Sequence, residues 1–380
     1  MQQQMLQNIN VNSILYLVLF IAIFGCKKQS ESTMVIATES VVGLLSDADT
    51  TMNYDIGLRK LSDYNFFKQP LSKLEPSNSK VIPYEMNAPL FTDYASKKRF
   101  IALPDISQIA YTDSGVLQFP KGTILIKNFY YQDVELETES TDILLETRLL
   151  ISDKITGKWT ALPYIWNESQ TEAYLYILGK DIELNINIAG DTNRNLPFTY
   201  SVPNSNMCKN CHMKNMEIVP LGPTARQLNR AHLFEEGNTN QLLHLKEKNM
   251  LNGLATTSAI PKIPSYEDPE ASVNDRARAY LDVNCAHCHQ DGGSAKTSGL
   301  HLTYEETDMY RLGLNKPPVA AGQGSGNLSF GIVAGKPEAS ILLYRMKHLE
   351  PDIVMPEIGK NTLHLEGISL IEDWIASLDQ

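Results

Sequence analysis

Two copies of the pattern Cys-x-x-Cys-His constrain this chain of 380 residues more than any other feature of its sequence. They read CKNCH, from Cys208 to His212, and CAHCH, from Cys285 to His289. Two thiols that are two residues apart on one helical turn reach the two vinyl groups of a single haem, and the next histidine places its ring under the iron. We therefore expect two haem c groups with His212 and His289 as the proximal iron ligands. The cysteines expected to carry them are Cys208, Cys211, Cys285 and Cys288.

Three other uses of paired cysteines compete with haem. A redox-active pair should follow a strand in a βαβ unit, and neither motif has that surrounding. A zinc site needs four converging ligands, whereas these motifs are far apart in the sequence and each has its own histidine. A disulfide between cysteines this close would be strained and is usually catalytic. These three uses stay open as the weaker alternatives.

Residues 1–26 have the pattern of an export signal. An apolar run from Ile14 to Gly25 is followed by Cys26 and a polar segment. A run this short suits the core of a signal peptide better than a membrane span, which needs about 20 apolar residues. Its Gly-Cys end resembles a bacterial lipoprotein signal, in which Cys26 is lipidated. A cleaved soluble signal and an uncleaved anchor are the alternatives, because residues 1–12 contain no Lys or Arg and Phe24 is bulky.

This signal predicts a membrane-anchored lipoprotein of the periplasm or cell envelope, with residues 27–54 as a polar tether. Haem c is attached outside the cytoplasm, so the location agrees with the two motifs. The chain has five cysteines, and Cys26 together with the motifs accounts for all of them. Its net charge of −11 argues against nucleic acid as a partner, because such binding needs a basic face.

Residues 266–380 are expected to form an all-α cytochrome c domain around the second haem. Apolar residues from Val273 to Leu281 recur at the spacing of one helix face, and this helix runs into the second motif. The stretch EGISLIEDWIASL predicts a terminal helix, and KPEASILLYRMKH predicts a third helix with Pro337 in its first turn.

The loop before the terminal helix should supply the distal ligand of the second haem. It contains Met355 followed by Pro356. A thioether opposite a histidine favours reduced iron and raises the potential. Met355 is therefore the predicted distal ligand, with His348 and Met346 as substitutes.

Residues 201–265 are expected to form a separate haem-binding segment with short helices. The first motif follows an extended stretch that contains prolines, and two helices are predicted after it in GPTARQLNRAHLF and TNQLLHLKEKNML. The predicted distal ligand of the first haem is His232 or Met216. The alternatives are His244, Met213 or an open sixth position on the iron.

Residues 55–200 are expected to form an antiparallel β-sandwich-like domain, which makes the whole chain a multidomain α+β protein. Short β-branched and aromatic runs there are separated by Gly, Pro, Asp and Asn. The run ETRLL contains Glu146 and Arg148, which fit either a buried ion pair or an exposed strand face. The exposed face is favoured, because charged side chains are seldom buried.

The ordered set of motifs from about residue 80 to residue 380 resembles a family of exported bacterial dihaem c-type cytochromes of unsettled physiological role. The stretches that carry the resemblance are PLFTDYASKKRF, FPKGT, ETRLL, PYIWN, CKNCH, LGPTARQLNR, RARAYLDVNCAHCH and MPEIG. The resemblance implies two haems, carried on the cysteines and histidines of the two motifs. It implies no substrate.

The function expected from these features is single-electron transfer between redox proteins of the bacterial envelope, with the β-rich region as a docking platform or scaffold. The main alternative is a haem enzyme, such as a dihaem peroxidase or an oxidase subunit, which would use an open sixth position on the first haem. A haem-based sensor whose β-rich region binds a ligand or a partner is a third possibility.

Overall fold

The computed structural model describes residues 35–36, 57–135, 140–187, 195–255, 260–319 and 321–379. The expected signal peptide and its Cys26 lie outside these residues, as does most of the expected tether. Within the tether, Val35–Ile36 forms a two-residue strand that pairs with a later strand. No helix within the described ranges is both long and apolar enough to cross a membrane.

The strands are concentrated before the first motif. Those of the described residues are β1 (Val35–Ile36), β2 (Val81–Tyr84), β3 (Ser96–Ala102), β4 (Ile109–Ala110), β5 (Ile124–Glu135), β6 (Ser140–Ser152), β7 (Trp159–Trp166), β8 (Ala173–Leu175), β9 (Lys180–Asn187), β10 (Asn195–Val202), β11 (Met213–Lys214), β12 (Glu217–Ile218), β13 (Ala231–Phe234), β14 (Gly237–Asn240) and β15 (Leu251–Asn252).

Six of these strands form an antiparallel sheet in the order β2-β3-β5-β6-β7-β8, which we call the central sheet. A smaller antiparallel sheet has the order β1-β9-β10. Strands β11 with β12, and β13 with β14, form hairpins, whereas β15 pairs with β4 in parallel. Apolar and aromatic residues with β-branched neighbours form the central strands, as their high strand propensity predicts.

The central sheet buries both of its faces. Successive side chains of a strand point to opposite faces, so Ile126 and Leu125 of β5 belong to different cores. The first face, with Ile126, packs on apolar residues of the irregular segment 61–74. The second face packs at one end on β9 and β10 and at the other end on residues 225–260. Residues 225–260, which come after the first motif, thus share a core with the sheet.

The helices are short and lie after the central sheet. Those of the described residues are α1 (Cys208–His212), α2 (Ala225–Leu228), α3 (Gln241–Glu247), α4 (Val273–Asn284), α5 (Ile341–Met346) and α6 (Leu365–Ser377). Helix α4 begins at the N-cap Ser272, whose hydroxyl accepts a hydrogen bond from the backbone N–H of Asp275. Its apolar face packs against α6, as the spacing of the apolar residues predicts.

Helices α4 and α6 approach closely because Gly367 has no side chain. A Cβ atom at Gly367 would lie 2.5 Å from the ring of Tyr280 on α4. Trp374 of α6 is fully buried, and its indole nitrogen donates to Asn274 Oδ1 at 3.1 Å. These contacts make the two helices one packed unit, and α4 leads directly into the second motif.

The prediction of an all-α cytochrome c domain for residues 266–380 is wrong. Within residues 266–319 and 321–379, α-helix is confined to α4, α5 and α6, and α5 is only six residues long. Residues 285–319 and 321–340 consist of turns and short 3₁₀ segments, together with two isolated parallel bridges that join Leu314 to Ile332 and Phe330 to Ser340. The physical reason is composition: this stretch is rich in Gly, which favours turns over helix.

The expected β-sandwich-like arrangement is also wrong. In a sandwich two sheets of similar size pack face to face. Here the six-stranded sheet meets only a three-stranded sheet, at one end of one face, and irregular or helical segments cover the rest. The periodic strand signal located the strands but carried no information about what covers them.

Candidate functional site

A cavity of about 1530 Å³ lies between the second face of the central sheet and the C-terminal helices. Pockets for one drug-sized ligand are typically about 300–1,000 Å³, so this space is large enough for more than one such group. Leu125 and Leu150 of the sheet and Ile368 of α6 are among its apolar walls. The motif residues that line it are Cys208, Cys211, His212, Cys285, Cys288 and His289. Two motifs that are far apart in the sequence therefore share one space.

The first motif forms the short helix α1 and then turns into the β11–β12 hairpin. This hairpin returns the chain so that His212 Nδ1 lies 2.9 Å from the carbonyl oxygen of Val219. A carbonyl only accepts, so Nδ1 carries the proton and Nε2 is left with a free lone pair. Burial lowers the pKa of His212 to about 4, which keeps the ring neutral. A neutral imidazole with a free Nε2 is the form that binds a metal ion.

The second motif continues directly from the C-terminus of α4. The backbone N–H of Cys285 still donates to Leu281, and that of His289 donates to Cys285. His289 Nδ1 lies 3.0 Å from the hydroxyl oxygen of Ser298, whose proton goes to the carbonyl of Ala295. The hydroxyl oxygen therefore accepts from Nδ1, and Nε2 is again the free nitrogen. Burial lowers the pKa of His289 to about 4.

The two motif segments contact each other directly. The backbone N–H of Asn215 donates to the carbonyl of Gly292 at 3.0 Å, and the hydroxyl of Ser294 donates to the carbonyl of Asn210 at 2.7 Å. Cys288 Sγ lies 3.3 Å from that same carbonyl. The ligand atoms of Cys211, His287 and Cys288 all lie within 4.8 Å of one another. The distance between the two motifs in the sequence had argued against ligands from both motifs meeting at one place.

The residues proposed for the distal side of the second iron lie in different places. Met355 lines the same cavity as His289, and its backbone is anchored by a hydrogen bond to Arg345 and another from Lys360. Met346 is buried and also lines the cavity. His348 is not among the lining residues, and its Nδ1 is directed at the carbonyl of Tyr344, 2.7 Å away.

The residues proposed for the distal side of the first iron do not line the cavity, with one exception. Met216 is 86% exposed at the turn of the β11–β12 hairpin. His232 lies on β13 with its ring centre 4.7 Å from that of Phe234, and the ring of His244 stacks on the same phenyl ring at 3.6 Å. The exception is Met213, which does line the cavity.

Three cations of the central sheet line the cavity next to the first motif. Arg99 of β3, Lys127 of β5 and Arg148 of β6 are direct cross-strand neighbours in register, and we call them the cationic row. Arg148 forms a bidentate ion pair with Glu146, which is fully buried. The exposed strand face that was favoured for Glu146 is therefore wrong, and the buried ion pair is present.

Several residues of this site were not singled out from the sequence. His287 stands inside the second motif, and His364 lines the cavity while its ring stacks on Phe91. The cationic row was not predicted either, although KKRF, LIKNF and ETRLL each place a cation next to apolar residues of a strand. Such a cation is unusual enough in a buried strand to have served as a signal.

Comparison of the chain with protein-family models, with curated proteins and with solved structures gives no match in any of the three. The family resemblance drawn from the motif order therefore stays a prediction. A functional assignment has to rest on the residues that line the cavity and on the contacts they make.

Proposed function

We propose that this protein is a dihaem c-type cytochrome that transfers single electrons between redox proteins of the bacterial envelope. Cys208 and Cys211 would hold one haem, and Cys285 and Cys288 would hold the other. Bound haem iron supplies reversible one-electron chemistry. The Gly-Cys end of the expected signal, at Cys26, would tether the protein to a membrane.

The observation that carries this proposal is the state of the two motif histidines. Each comes directly after a pair of cysteines, each donates its Nδ1 proton to a fixed oxygen, and each keeps Nε2 free. A hydrogen bond to Nδ1 fixes the tautomer and the ring orientation of a metal-binding histidine, and it raises the basicity of Nε2. Two independent segments, with different acceptors, reach the same arrangement at His212 and His289.

The other cavity residues support the proposal by what they do to the site. Apolar walls such as Leu125, Leu150 and Ile368 exclude water, which affects both potential and access. Met355 provides a soft sulfur within the same cavity as His289. The direct contact between the motif segments favours exchange between the two haems over independent function.

The test is haem stoichiometry and spin state. The full chain would be produced with a c-type maturation pathway, and spectra would be recorded after denaturation and in the native state. Two covalent haems per chain, both low-spin, are the expected result. The absence of covalent haem would reject the proposal.

A zinc-type site is the second candidate, favoured by the convergence of Cys211, His287 and Cys288. Cysteine and histidine are common zinc ligands, and an open fourth position would be taken by water or another ligand. The double variant Cys208→Ala/Cys285→Ala separates the two candidates because it leaves that cluster intact. Under the haem proposal it removes one thioether bond from each haem and lowers covalent haem content. Under the zinc alternative, metal content measured by mass spectrometry stays unchanged.

A haem enzyme is the third candidate, favoured by the position of His232 and Met216 outside the cavity lining. An iron without a sixth protein ligand can bind a substrate such as peroxide. A high-spin signal from one haem, together with peroxide-dependent oxidation of a reduced donor, would favour this candidate. Two low-spin haems without turnover would favour electron transfer.

A further inference from the structure

The cationic row concentrates positive charge where the protein itself offers little to balance it. Arg99, Lys127 and Arg148 are adjacent across three strands, and Lys97 stands two residues before Arg99 on the same face. Like charges directly opposite each other on a sheet are destabilising. A fold that keeps three of them in one row therefore indicates an interaction that offsets their repulsion.

The protein satisfies only one of the three cations. Glu146 pairs with Arg148 and also accepts a hydrogen bond from the Tyr200 hydroxyl at 2.7 Å. In the part of the chain that the structure describes, the side chains of Arg99 and Lys127 form no hydrogen bond and no ion pair. Lys127 has only a cation–π contact, with its Nζ 4.8 Å from the centre of the Phe129 ring.

Arg99 is buried, and Lys127 is half-buried. Arg99 is 7% exposed. Burial, followed by the charges of Arg99, Lys97 and Arg148, holds the pKa of Lys127 well below its usual range. A buried charge without a partner is costly, so an anion that enters the cavity would be bound strongly here.

Two cations on the opposite side of the cavity are engaged by backbone carbonyls. Lys360 donates to the carbonyls of Met346, His348 and Met355, and Arg345 donates to the carbonyl of Ile353. The ammonium of Lys360 is thus fully engaged by the backbone around the second site, whereas the guanidinium of Arg345 is engaged through Nε. Lys316 also lines the cavity, and its Nζ lies 5.1 Å from the centre of the Tyr310 ring. Arg99 and Lys127 differ from these three cations because they stand side by side in one row of the central sheet.

The charges of the cationic row act on the first motif. The pKa of His212 is lowered mainly by burial and also by Lys127 and Arg148, and the same two cations act on Cys211. The charges that act on Cys285 and His289 include Lys360 and Arg345 instead. Arg99 and Lys127 line the same cavity as Cys211 and His212, and the β11–β12 hairpin after His212 packs through Ile218 on the core of the same sheet face.

We propose that Arg99 and Lys127 bind the propionate carboxylates of the haem on the first motif and thereby position that haem against the central sheet. This inference rests on the proposed function. A haem carries two carboxylates that need cations or water, and a guanidinium and an ammonium are the two common partners of carboxylates in proteins. The assignment gives the sheet a direct part in the redox site.

A free organic acid that enters the cavity has the same carboxylate chemistry, so the experiment must separate the two sources. The full chain would be matured with haem labelled with ¹³C at the propionate carboxyls, and haem content would be measured first. Infrared difference spectra between the oxidised and reduced protein would then report the labelled carboxylates. The variants are Lys127→Gln, Lys127→Arg and the control Lys98→Gln. Lys98 neighbours Arg99 on β3 but forms a half-exposed ion pair with Asp142.

The expected result is a shift of the labelled bands in Lys127→Gln, but not in Lys98→Gln, with the wild-type bands largely restored in Lys127→Arg. Loss of a nearby cation also favours the oxidised iron. We therefore expect the reduced-to-oxidised ratio of the first haem, at a fixed potential, to fall about tenfold, which is about 59 mV for one electron.

Three outcomes would overturn the inference in different ways. A protein without covalent haem would reject the proposed function and this inference together. Two covalent haems with labelled bands that are identical in wild type and Lys127→Gln would reject the inference alone. A saturable effect of added acetate or malate on the wild type, lost in Lys127→Gln while the labelled bands do not move, would assign the cationic row to a free carboxylate.

Discussion

The two motifs have the same five-residue pattern, but different parts of the fold build their surroundings. The second motif is an extension of helix α4, and its neighbours α5 and α6 belong to one apolar core. The first motif is a single turn of helix after strand β10, and residues 225–260 further along the chain share a core with the central sheet. The second site therefore has an apolar core of helices beside it, whereas the first depends on the sheet.

The histidine supports differ in the same way. His289 uses the side chain of Ser298, and His212 uses the backbone carbonyl of Val219. A side-chain acceptor can be removed by one substitution, but a backbone acceptor cannot. Substitutions in helices α4 to α6 should therefore affect the second site selectively, and substitutions in the central sheet should affect the first.

The largest effect is expected from Met355→Ala. Loss of the sulfur should convert one of the two haems from six-coordinate low-spin to high-spin and abolish the methionine–iron charge-transfer band, because an alanine offers no ligand atom in that place. Native absorption spectra of the oxidised protein measure this change. Met216→Ala, at an exposed position outside the cavity, is the control and should leave both haems unchanged. An unaltered spectrum in Met355→Ala would remove the assignment.

Trp374→Ala should reduce the free energy of unfolding by about 3–5 kcal/mol, because it leaves a large cavity between α4 and α6. Denaturant titration measures this change, and haem spectra recorded in the same titration should show that the second site is lost first. Leu233→Ala, at a position 75% exposed, should change stability by less than about 0.5 kcal/mol. Simultaneous loss of both sites would contradict a separate helical core beside the second site.

Glu146→Gln should reduce the free energy of unfolding by about 3 kcal/mol, since it leaves Arg148 beside Lys127 without its carboxylate. The same change adds net positive charge to the sheet side, so the potential of the first haem should rise by more than that of the second. Redox titration followed by denaturant titration checks both effects. Asp142→Asn removes the half-exposed partner of Lys98 and should change stability by no more than about 1 kcal/mol.

His364, at the start of helix α6, should make the free energy of unfolding sensitive to acid. Burial lowers its pKa to about 4, whereas an unfolded histidine titrates near 6.5. The unfolded chain therefore binds a proton first as the pH falls, and about 2 kcal/mol of stability should be lost between pH 7 and pH 5. Unfolding of the haem-loaded protein at the two pH values measures this loss. The variant His364→Gln should show a smaller dependence, and an equal dependence would assign the effect to other groups.

Ser298→Ala should have the smallest effect. A hydrogen bond contributes about 1 kcal/mol, and its loss from His289 Nδ1 makes the ligand less basic, so the reduced-to-oxidised ratio of the second haem should rise about fivefold. Ser298→Thr keeps the hydroxyl and should restore the wild-type ratio. A change at the first haem of equal size would show that the serine acts through general stability and not through His289.

Local patterns in the sequence predicted the parts of the molecule that depend on neighbours in the chain. The predicted helices that contain Val273 and Trp374 are present. The cysteines and histidines of both motifs line one cavity. The convergence of Cys211 with Cys288, the alignment of Lys127 with Arg148 and the burial of Glu146 depend on strand register and on packing between distant segments. The periodicity of apolar residues within one segment carries no information about contacts with distant segments. The amphipathic patterns of two helices therefore did not define an all-α domain, because a turn-rich stretch lies between them.

The hydrogen bonds between the motif segments have a thermodynamic consequence. Because Asn215 is bonded to Gly292, and Ser294 to Asn210, a change of structure or charge at one motif alters the free energy of the other. Such coupling is reciprocal: in an electron-transfer protein, oxidising the first centre would shift the reduction free energy of the second by the amount that oxidising the second shifts the first. The two centres would then titrate with macroscopic potentials that belong to both of them. A partner protein would exchange electrons with a set of four redox microstates and not with one isolated centre.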